Sequence, residues 1–366
     1  MKPDLIIETA SGKCPVFTGE HILGDALDEL YRETSSDLIF LLVDEQVFIH
    51  HRERLTETFT ERFEQIEIMP VPSGEKSKSV HFWEKSVQFL LTNHIRRDTP
   101  VAVIGGGVTG DLGGFVAATA LRGVPYIHIP TTVLAMVDSS VGGKTGINSE
   151  IGKNLIGAFY QPQAVIADVS FLATLPGNEW INGLSEILKY GAIRDASIFK
   201  EAEFFLNENL HEMPVEPLIS LIRKCIQIKA EVVREDEFES GVRAFLNFGH
   251  TFAHALEKAC GFETISHGEA VFAGMLAARY LSESILGLKQ LPNFQPFIPL
   301  YRYRFSPEAL NYDDLYHTMK SDKKRTGDDI NFVLLQEWQN PVVLPVSDRN
   351  LINEAWSQTF NQIKTI

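Results

Sequence analysis

The stretch that decides the fold is Val101–Ile104, followed at once by Gly105-Gly-Gly107-Val-Thr-Gly110-Asp111. Four consecutive apolar residues before a glycine-rich turn predict a buried strand that ends at the turn, and the residues after the turn predict a helix. Gly105, Gly107 and Gly110 have the GxGxxG spacing, which lets the backbone approach a pyrophosphate closely while the helix N-terminus stabilises its charge. The stretch therefore predicts the strand–turn–helix of a dinucleotide-binding α/β fold.

Outward from this stretch, the first half of the chain alternates short β-rich runs with helical patterns. This alternation predicts a largely parallel, doubly wound, Rossmann-like sheet. The predicted strands are Leu5–Ile7, Leu38–Val43, Ile66–Met69, Val101–Ile104, Tyr126–Ile129 and Ala164–Ala167, and the predicted helices are Val80–Leu91 and Leu112–Ala120.

The sequence pattern predicts that the second half of the chain is all-α. We place a domain boundary after residue 172, which gives an α/β domain of residues 1–172 and a helical domain of residues 173–366. Pro292–Tyr303 is rich in proline and aromatic residues and is expected to be a long surface connection. The predicted helices are Trp180–Ala192, Val215–Arg234, Thr251–Cys260, Glu269–Leu286, Pro307–Met319 and Leu351–Ile363, with one hairpin at Asn331–Leu335 and Val342–Val346.

Composition narrows the function classes. The chain has 366 residues, 44% hydrophobic and 22% charged, with a formal net charge of −15, which disfavours binding to nucleic acid or an anionic membrane. Its basic residues nevertheless gather in particular segments, which favours a small anionic ligand. Three widely spaced cysteines argue against a disulfide framework, and no long apolar segment predicts a signal peptide or a membrane span. We therefore expect a cytoplasmic protein.

The acidic residue expected about 20 positions after the glycine loop is missing, because that region reads Ile127-His-Ile-Pro-Thr131. Asp44, however, directly follows the predicted strand Leu38–Val43, where a ribose hydroxyl acceptor would lie. A solvated loop aspartate is the alternative. In this chain the acidic residue precedes the glycine loop instead of following it. This predicts a dinucleotide-binding fold in which the two features occur in an altered order along the chain.

Histidines and carboxylates in the second half could form a divalent metal site. His250 and His254 are spaced i, i+4, His267 follows, and Glu186 and Glu269 are available carboxylates. Spacing alone would favour His250 and His254 as joint ligands. Capped or surface histidines are the alternative.

The same region carries a polar stripe. Arg243, Asn247, His250 and His254 would share one face if the segment were helical throughout, although Gly249 makes an unbroken helix uncertain. Glu186 and Lys189 likewise share a face at i, i+3. Because their flanking positions are apolar, a lined cavity is favoured over a solvated face.

Several motifs, in collinear order, strongly resemble the 3-dehydroquinate synthase family. The match runs from about Asp44 to Leu335. The motifs are Gly105-Gly-Gly-Val-Thr-Gly-Asp-Leu-Gly-Gly-Phe115, Pro130-Thr-Thr, Asp138-Ser-Ser-Val-Gly-Gly-Lys-Thr-Gly-Ile-Asn148, Gly152-Lys-Asn154, Glu186-Ile-Leu-Lys-Tyr-Gly191, Arg243-Ala-Phe-Leu-Asn-Phe-Gly-His-Thr-Phe-Ala-His254, His267-Gly-Glu and Asp322-Lys-Lys324. The sequence departs from the family pattern at two places. Ala253 stands where many relatives have glycine, and its methyl group should be tolerated. Ser149-Glu150 differs from the residues often found before Gly152-Lys-Asn154, which affects only the details of the loop.

The resemblance implies an NAD-binding domain followed by a helical metal-binding domain, in a homodimer where Arg122 reaches the neighbouring subunit's pocket. Its zinc or cobalt ligands are Glu186, His250 and His267. Its NAD contacts are Asp44, Ser73, Gly74, Glu75, Lys76, Ser77, Lys78, Gly106, Gly107, Val108, Thr109, Gly110, Asp111, Thr131, Thr132, Lys144, Lys153, Phe171, Leu172, Ala173 and Thr174. Its substrate-pocket residues are Arg122, Asp138, Lys144, Asn154, Lys189, Lys229, Arg243, Asn247, His254 and Lys323.

The family reaction converts 3-deoxy-D-arabino-heptulosonate 7-phosphate to 3-dehydroquinate in the shikimate pathway. It proceeds by transient NAD-mediated oxidation, phosphate elimination, reduction and aldol closure. Three alternatives remain: a sister sugar phosphate cyclase, a metal-dependent NAD polyol dehydrogenase, and a non-catalytic NAD-binding protein. The complete set of metal and pocket residues favours the synthase.

Overall fold

The computed structural model describes residues 1–32, 36–206, 209–261, 264–288, 290–322 and 329–363. The chain divides into two compact units. Unit 1 comprises Met1–Pro176 and His211–Phe238, and unit 2 comprises Gly177–Leu210 and Glu239–Ile366. None of the helices that the structure describes is long and apolar enough to cross a membrane.

Unit 1 is built on a sheet of seven strands: β1 (Leu5–Thr9), β2 (Gly12–Gly19), β3 (Leu38–Asp44), β4 (Gln65–Val71), β5 (Val101–Gly105), β6 (Tyr126–Pro130) and β9 (Ala164–Asp168). Their order in the sheet is β1-β2-β9-β6-β5-β3-β4, and within this sheet only the β1–β2 pair is antiparallel. A separate hairpin consists of β7 (Lys144–Ser149) and β8 (Gly152–Phe159). The predicted parallel sheet is confirmed.

Each face of the sheet supports its own apolar core. Side chains of β3 alternate between them: Ile39 and Leu41 join one cluster, and Phe40 and Leu42 join the other. This alternation follows from the two-residue period of a strand. The helices that cover the sheet are α1 (Leu23–Tyr31) and α2 (Glu45–Thr60) on the first cluster, and α3 (Val80–Thr92) and α4 (Gly107–Thr119) on the second.

The observed units and the predicted domains differ in where they place the helix α7 (Val215–Glu235). The sequence boundary after residue 172 assigns this helix to the second domain, whereas the structure assigns it to unit 1. Its apolar face packs against β1, β2 and the π-helix Ala135–Ser139. A boundary drawn along the chain cannot detect a segment that returns to an earlier unit.

Unit 2 is mainly helical and carries one hairpin. Its helices are α5 (Gly177–Ile193), α6 (Ser197–Glu201), α8 (His250–Cys260), α9 (His267–Leu286), α10 (Tyr312–Asp322) and α11 (Arg349–Gln362). The hairpin, β10 (Ile330–Glu337) with β11 (Asn340–Val346), confirms the predicted one.

The expected surface connection at Pro292–Tyr303 is wrong. Phe294, Phe297 and Tyr301 are buried, and the Tyr301 ring stacks on Phe272 with ring centroids 3.9 Å apart. Its aromatic residues therefore belong to the core of unit 2, where the burial of large apolar rings stabilises the fold.

Candidate metal centre and cofactor edge

Three side chains of unit 2 converge. We call Glu186 of α5, His250 of α8 and His267 of α9 the metal group, because their ligand atoms all lie within 4.8 Å of one another. The Nε2 atoms of both histidines lie 3.5 Å from Glu186 Oε1, and Glu186 is fully buried. Two imidazoles and one carboxylate are the donor set of a catalytic zinc site with an open position.

The turn before α8 places His250. Gly249 has a left-handed φ of 82°, and a Cβ there would lie 2.7 Å from the backbone nitrogen of Met275. Only glycine fits a position that needs both a positive φ and such a close approach. The left-handed residue ends the preceding 3-10 helix, Val242–Asn247, so that α8 begins at His250.

The condition for one continuous polar stripe, an unbroken helix from Arg243 to His254, is therefore not met. Arg243 and Asn247 lie on the 3-10 helix, whereas His250 and His254 lie on α8, with the break at Phe248 and Gly249. Arg243 is nevertheless 1% exposed, and Asn247 donates a 2.9 Å hydrogen bond to Glu239 Oε1. His254 is exposed, with its ring centroid 5.7 Å from that of His250.

The N-terminus of α9 places His267. Ser266 and Glu269 form a capping box, so the Glu269 carboxylate accepts a hydrogen bond from the Ser266 amide. This explains why Glu269 is not in the metal group. Ser185 Oγ donates to the Gly268 carbonyl at 2.6 Å, which ties α9 to the residue that precedes Glu186.

The pKa values of the two histidines are shifted in opposite directions. Burial lowers the pKa of His250 to about 3, so its ring is neutral at neutral pH. Burial also opposes the charged form of His267, but hydrogen bonds to Glu186 and Glu257 outweigh it and raise the pKa of His267 to about 10. Lys189, 2% exposed, forms an ion pair with Glu186. The predicted residue Lys323 lies outside the described residues.

Unit 1 contains the second candidate site, at the carboxyl ends of β3 and β5. We call this the cofactor edge. The chain passes from β3 to β4 on one side and then to β5 on the other, which makes the β3–β5 pair a topological switch point, the usual ligand crevice of such sheets. Asp44 ends β3, and the glycine turn follows β5.

Asp44 and the glycine turn have distinct local roles. Asp44 caps α2 by accepting from the Gln46 amide at 3.0 Å, and it also accepts from Ser73 Oγ at 2.7 Å. Gly106 is the N-cap of α4 without a side-chain cap, so the turn presents backbone amides. At Gly110 a Cβ would lie 2.4 Å from His128 Cε1, which explains the glycine.

The segment from Ser73 to Lys78 is tied to this edge. Lys78 Nζ lies 2.6 Å from Asp111 Oδ2, and the Asn148 side chain donates to Glu75 Oε1 at 2.7 Å. Burial raises the pKa of the Asp111 carboxyl, and Lys78 opposes that rise. The structure also describes the remaining predicted cofactor residues of unit 1, of which Lys153 lies on β8: Gly74, Lys76, Ser77, Gly107, Val108, Thr109, Thr131, Thr132 and Lys153.

The predicted contacts Phe171–Thr174 lie in a 3-10 helix directly after β9. His51 of α2 contacts this segment: its Nε2 lies 2.8 Å from Thr174 Oγ1, and its ring packs edge-on against Phe171. Burial, together with the nearby charge of Arg54, lowers the pKa of His51.

The predicted substrate residues of unit 1 lie at three places. Lys229 of α7 is buried and bridges both the carboxylate and the carbonyl of Asp138, at 2.9 and 2.7 Å. Lys144 and Asn154 lie on the β7–β8 hairpin, where the backbone N–H of Asn154 donates to Asn148 Oδ1 at 2.9 Å. Arg122 is exposed and has a left-handed φ of 67°.

Comparison with known proteins identifies the family. A family model described as 3-dehydroquinate synthase N-terminal matches residues 68–182, and one described as 3-dehydroquinate synthase C-terminal matches residues 183–325. The 3-dehydroquinate synthase of Listeria monocytogenes serotype 4b is 38% identical over 362 residues, which are 98% of each chain. The chain belongs to the 3-dehydroquinate synthase family.

Two synthases are among the solved structures similar to this 3-dehydroquinate synthase family member. A 2-deoxy-scyllo-inosose synthase, crystallised with carbaglucose-6-phosphate, NAD+ and Co2+, has a TM-score of 0.82 at 26% identity and covers 97% of this chain and 99% of its own. The 2-epi-5-epi-valiolone synthase of Streptomyces hygroscopicus subsp. jinggangensis has a TM-score of 0.83 at 23% identity, with 99% of both chains covered, and shows the same fold.

Three contact residues of this family member escaped the sequence reasoning. Glu257 faces His267, Glu239 receives the hydrogen bond of Asn247, and Asn148 links the hairpin to Glu75. Glu257 had a readable signal, because it lies seven residues after His250 and thus on the same helix face. Glu239 and Asn148 lie in a loop and a strand, where spacing gives no such signal.

Proposed function

We propose that this chain is a 3-dehydroquinate synthase that converts 3-deoxy-D-arabino-heptulosonate 7-phosphate to 3-dehydroquinate and phosphate in the shikimate pathway. The observation that carries the proposal is the metal group. The three residues that the family resemblance assigns to zinc bring their ligand atoms within 4.8 Å of one another.

The donor set of the metal group fits Zn2+ or Co2+. One buried carboxylate and two imidazoles from three different helices leave room for substrate oxygens at the open positions. The cofactor edge in turn fits NAD, since Asp44 suits a ribose hydroxyl and the uncapped turn suits a pyrophosphate. When bound, the ion supplies Lewis acidity and the cofactor supplies reversible oxidation.

The chain's own residues supply positioning and charge. In unit 2, the buried Arg243 guanidinium offers a planar fork for the substrate carboxylate. Lys189, which forms an ion pair with Glu186, is assigned to the substrate pocket, as the family resemblance implies. Asn247, His254 and Lys323 are assigned to the substrate phosphate, as the family resemblance implies.

In unit 1, Lys229 fixes Asp138 by its double contact, so that this carboxylate keeps one orientation. Lys144 and Asn154 are assigned to the substrate phosphate, and Lys144 together with Lys153 is also assigned to the cofactor. A lysine and an amide are suited to an anionic oxygen because both donate hydrogen bonds.

The proposal includes a homodimer. Arg122 is exposed and lies, with a left-handed φ, between α4 and β6. The β7–β8 hairpin also exposes large apolar side chains, with Leu155 at 61% and Ile151 at 89% exposure. Such side chains mark an association surface, which suits a partner subunit that receives Arg122.

Substrate discrimination tests which cyclase this is. The experiment compares phosphate release from the heptulosonate phosphate with release from sedoheptulose 7-phosphate, which lacks the carboxylate. We expect turnover of the former only, because Arg243 needs a carboxylate partner. Arg243→Ala should lower kcat/KM on the carboxylate substrate by about 30-fold or more, and Arg243→Lys should not restore it fully. Efficient wild-type turnover of sedoheptulose 7-phosphate would instead assign a sister cyclase.

A further inference from the structure

The two histidines of the metal group are held differently at their second ring nitrogen. His250 Nδ1 lies 3.3 Å from the carbonyl oxygen of Phe248. His267 Nδ1 lies 3.5 Å from Glu257 Oε1, a carboxylate on α8. Both Nε2 atoms lie 3.5 Å from Glu186. Each ring thus directs one nitrogen to the metal group and the other to an oxygen of the protein.

The burial of Glu257 points to a specific role. Its side chain is 5% exposed, and a buried carboxylate is costly unless it is paired. The ring that it faces is less well enclosed, since the His267 side chain is 34% exposed. Packing alone therefore leaves the His267 ring freer to rotate than that of His250, whose side chain is 13% exposed.

We propose that Glu257 is a positioning residue for the metal ion. It accepts the Nδ1–H of His267, fixes the ring orientation and directs the Nε2 lone pair towards Glu186 and His250. A carboxylate behind a metal-binding imidazole orients the ring and makes it a stronger ligand. This inference rests on the metal site proposed above.

Metal competition measures the effect. Metal-stripped full-length protein is titrated with Zn2+ against a chromophoric chelator, which gives the Kd of the wild type and of Glu257→Ala and Glu257→Gln. We expect Glu257→Ala to weaken zinc binding about 10- to 100-fold. Glu257→Gln should fall between the two, because its amide oxygen still accepts the Nδ1–H but lacks the charge.

The matched control is Lys258→Ala, which changes the next, exposed residue of the same helix. It should bind zinc within about twofold of the wild type. The visible absorption spectrum of the Co2+-loaded protein gives a second readout. It should change in Glu257→Ala, because a reoriented His267 changes the ligand field, and should stay unchanged in Lys258→Ala.

The results distinguish a failure of the proposed role of Glu257 from a failure of the proposed metal site. If the wild type binds no zinc, the proposed metal site is wrong. If the wild type binds zinc and a folded Glu257→Ala protein binds it equally well with the same Co2+ spectrum, Glu257 has no positioning role. Thermal unfolding of the metal-free proteins identifies a variant that fails to fold, in which case Glu257→Gln carries the test alone.

Discussion

The cofactor edge and the metal group are built in opposite ways. The cofactor edge consists of backbone: the end of β3, the glycine turn after β5 and the N-terminus of α4. The metal group consists of side chains from three helices of unit 2, far apart in the sequence. The first site should therefore be damaged by added atoms, and the second by removed atoms.

The largest effect should come from removing a ligand of the metal group. Glu186→Ala, His250→Ala and His267→Ala should each lose the bound divalent ion and lower kcat/KM on the order of a thousandfold or more, because two remaining ligands hold an ion poorly. Metal analysis of the purified variants, together with phosphate release, checks both losses.

His254→Ala is the matched comparison for these ligands. It should retain the metal, because His254 lies outside the metal group, and it should lose turnover, because His254 is assigned to the substrate phosphate. A His254→Ala protein without metal would contradict the ligand assignment and favour His250 and His254 as the joint ligands.

Adding one carbon at the cofactor edge should have the next largest effect. In Gly110→Ala the new Cβ would lie 2.4 Å from His128 Cε1, so either α4 or the buried His128 ring must shift. We expect a loss of about 1–3 kcal/mol in the free energy of unfolding of unit 1, together with weaker NAD binding. Gly177→Ala is the control, since nothing lies within 4 Å of a Cβ there. Equal stability in urea titrations of both variants would contradict the close approach.

His128, the partner of Gly110, should make unit 1 sensitive to acid. It is 4% exposed, and burial lowers its pKa from 6.5 to about 4. The unfolded chain therefore binds a proton below pH 6.5 that the folded chain binds only below about pH 4. Stability is lost as the pH falls through this window, by about 2 kcal/mol at pH 5.

Urea denaturation at pH 7.5 and pH 5.0 measures this loss. His128→Gln removes the titrating ring and should reduce the difference between the two pH values by about 2 kcal/mol. An unchanged difference in the variant would show that another group causes the acid sensitivity.

The smallest effect should be on cofactor choice. Asp44→Asn keeps the cap of α2, because asparagine and aspartate are equally good N-caps, but removes the negative charge. We expect the ratio of the Kd for NADP to the Kd for NAD to fall about tenfold, because the uncharged asparagine no longer repels the 2′-phosphate of NADP. The Kd values of both cofactors check this, and an unchanged ratio would place the ribose elsewhere.

The same contrast explains what the sequence could predict. The cofactor edge was readable because an apolar run and a glycine turn are local patterns, and because parallel strand ends meet at one edge. The trio of Glu186, His250 and His267 needed the family resemblance, since spacing alone favoured His250 and His254. Gly249 was recognisable from the sequence as a possible helix break, but the close approach to Met275 of α9 that requires a glycine there is a tertiary contact. The return of α7 to unit 1 likewise depends on tertiary packing, which local periodicity does not encode.

The most direct test of the account follows phosphate and NADH together. The enzyme, a divalent ion and a limiting amount of NAD are incubated with the heptulosonate phosphate. Because oxidation is reversed within each turnover, we predict phosphate in large molar excess over added NAD, with no net accumulation of NADH absorbance. One NADH formed per substrate consumed, without phosphate release, would contradict the synthase and assign a dehydrogenase.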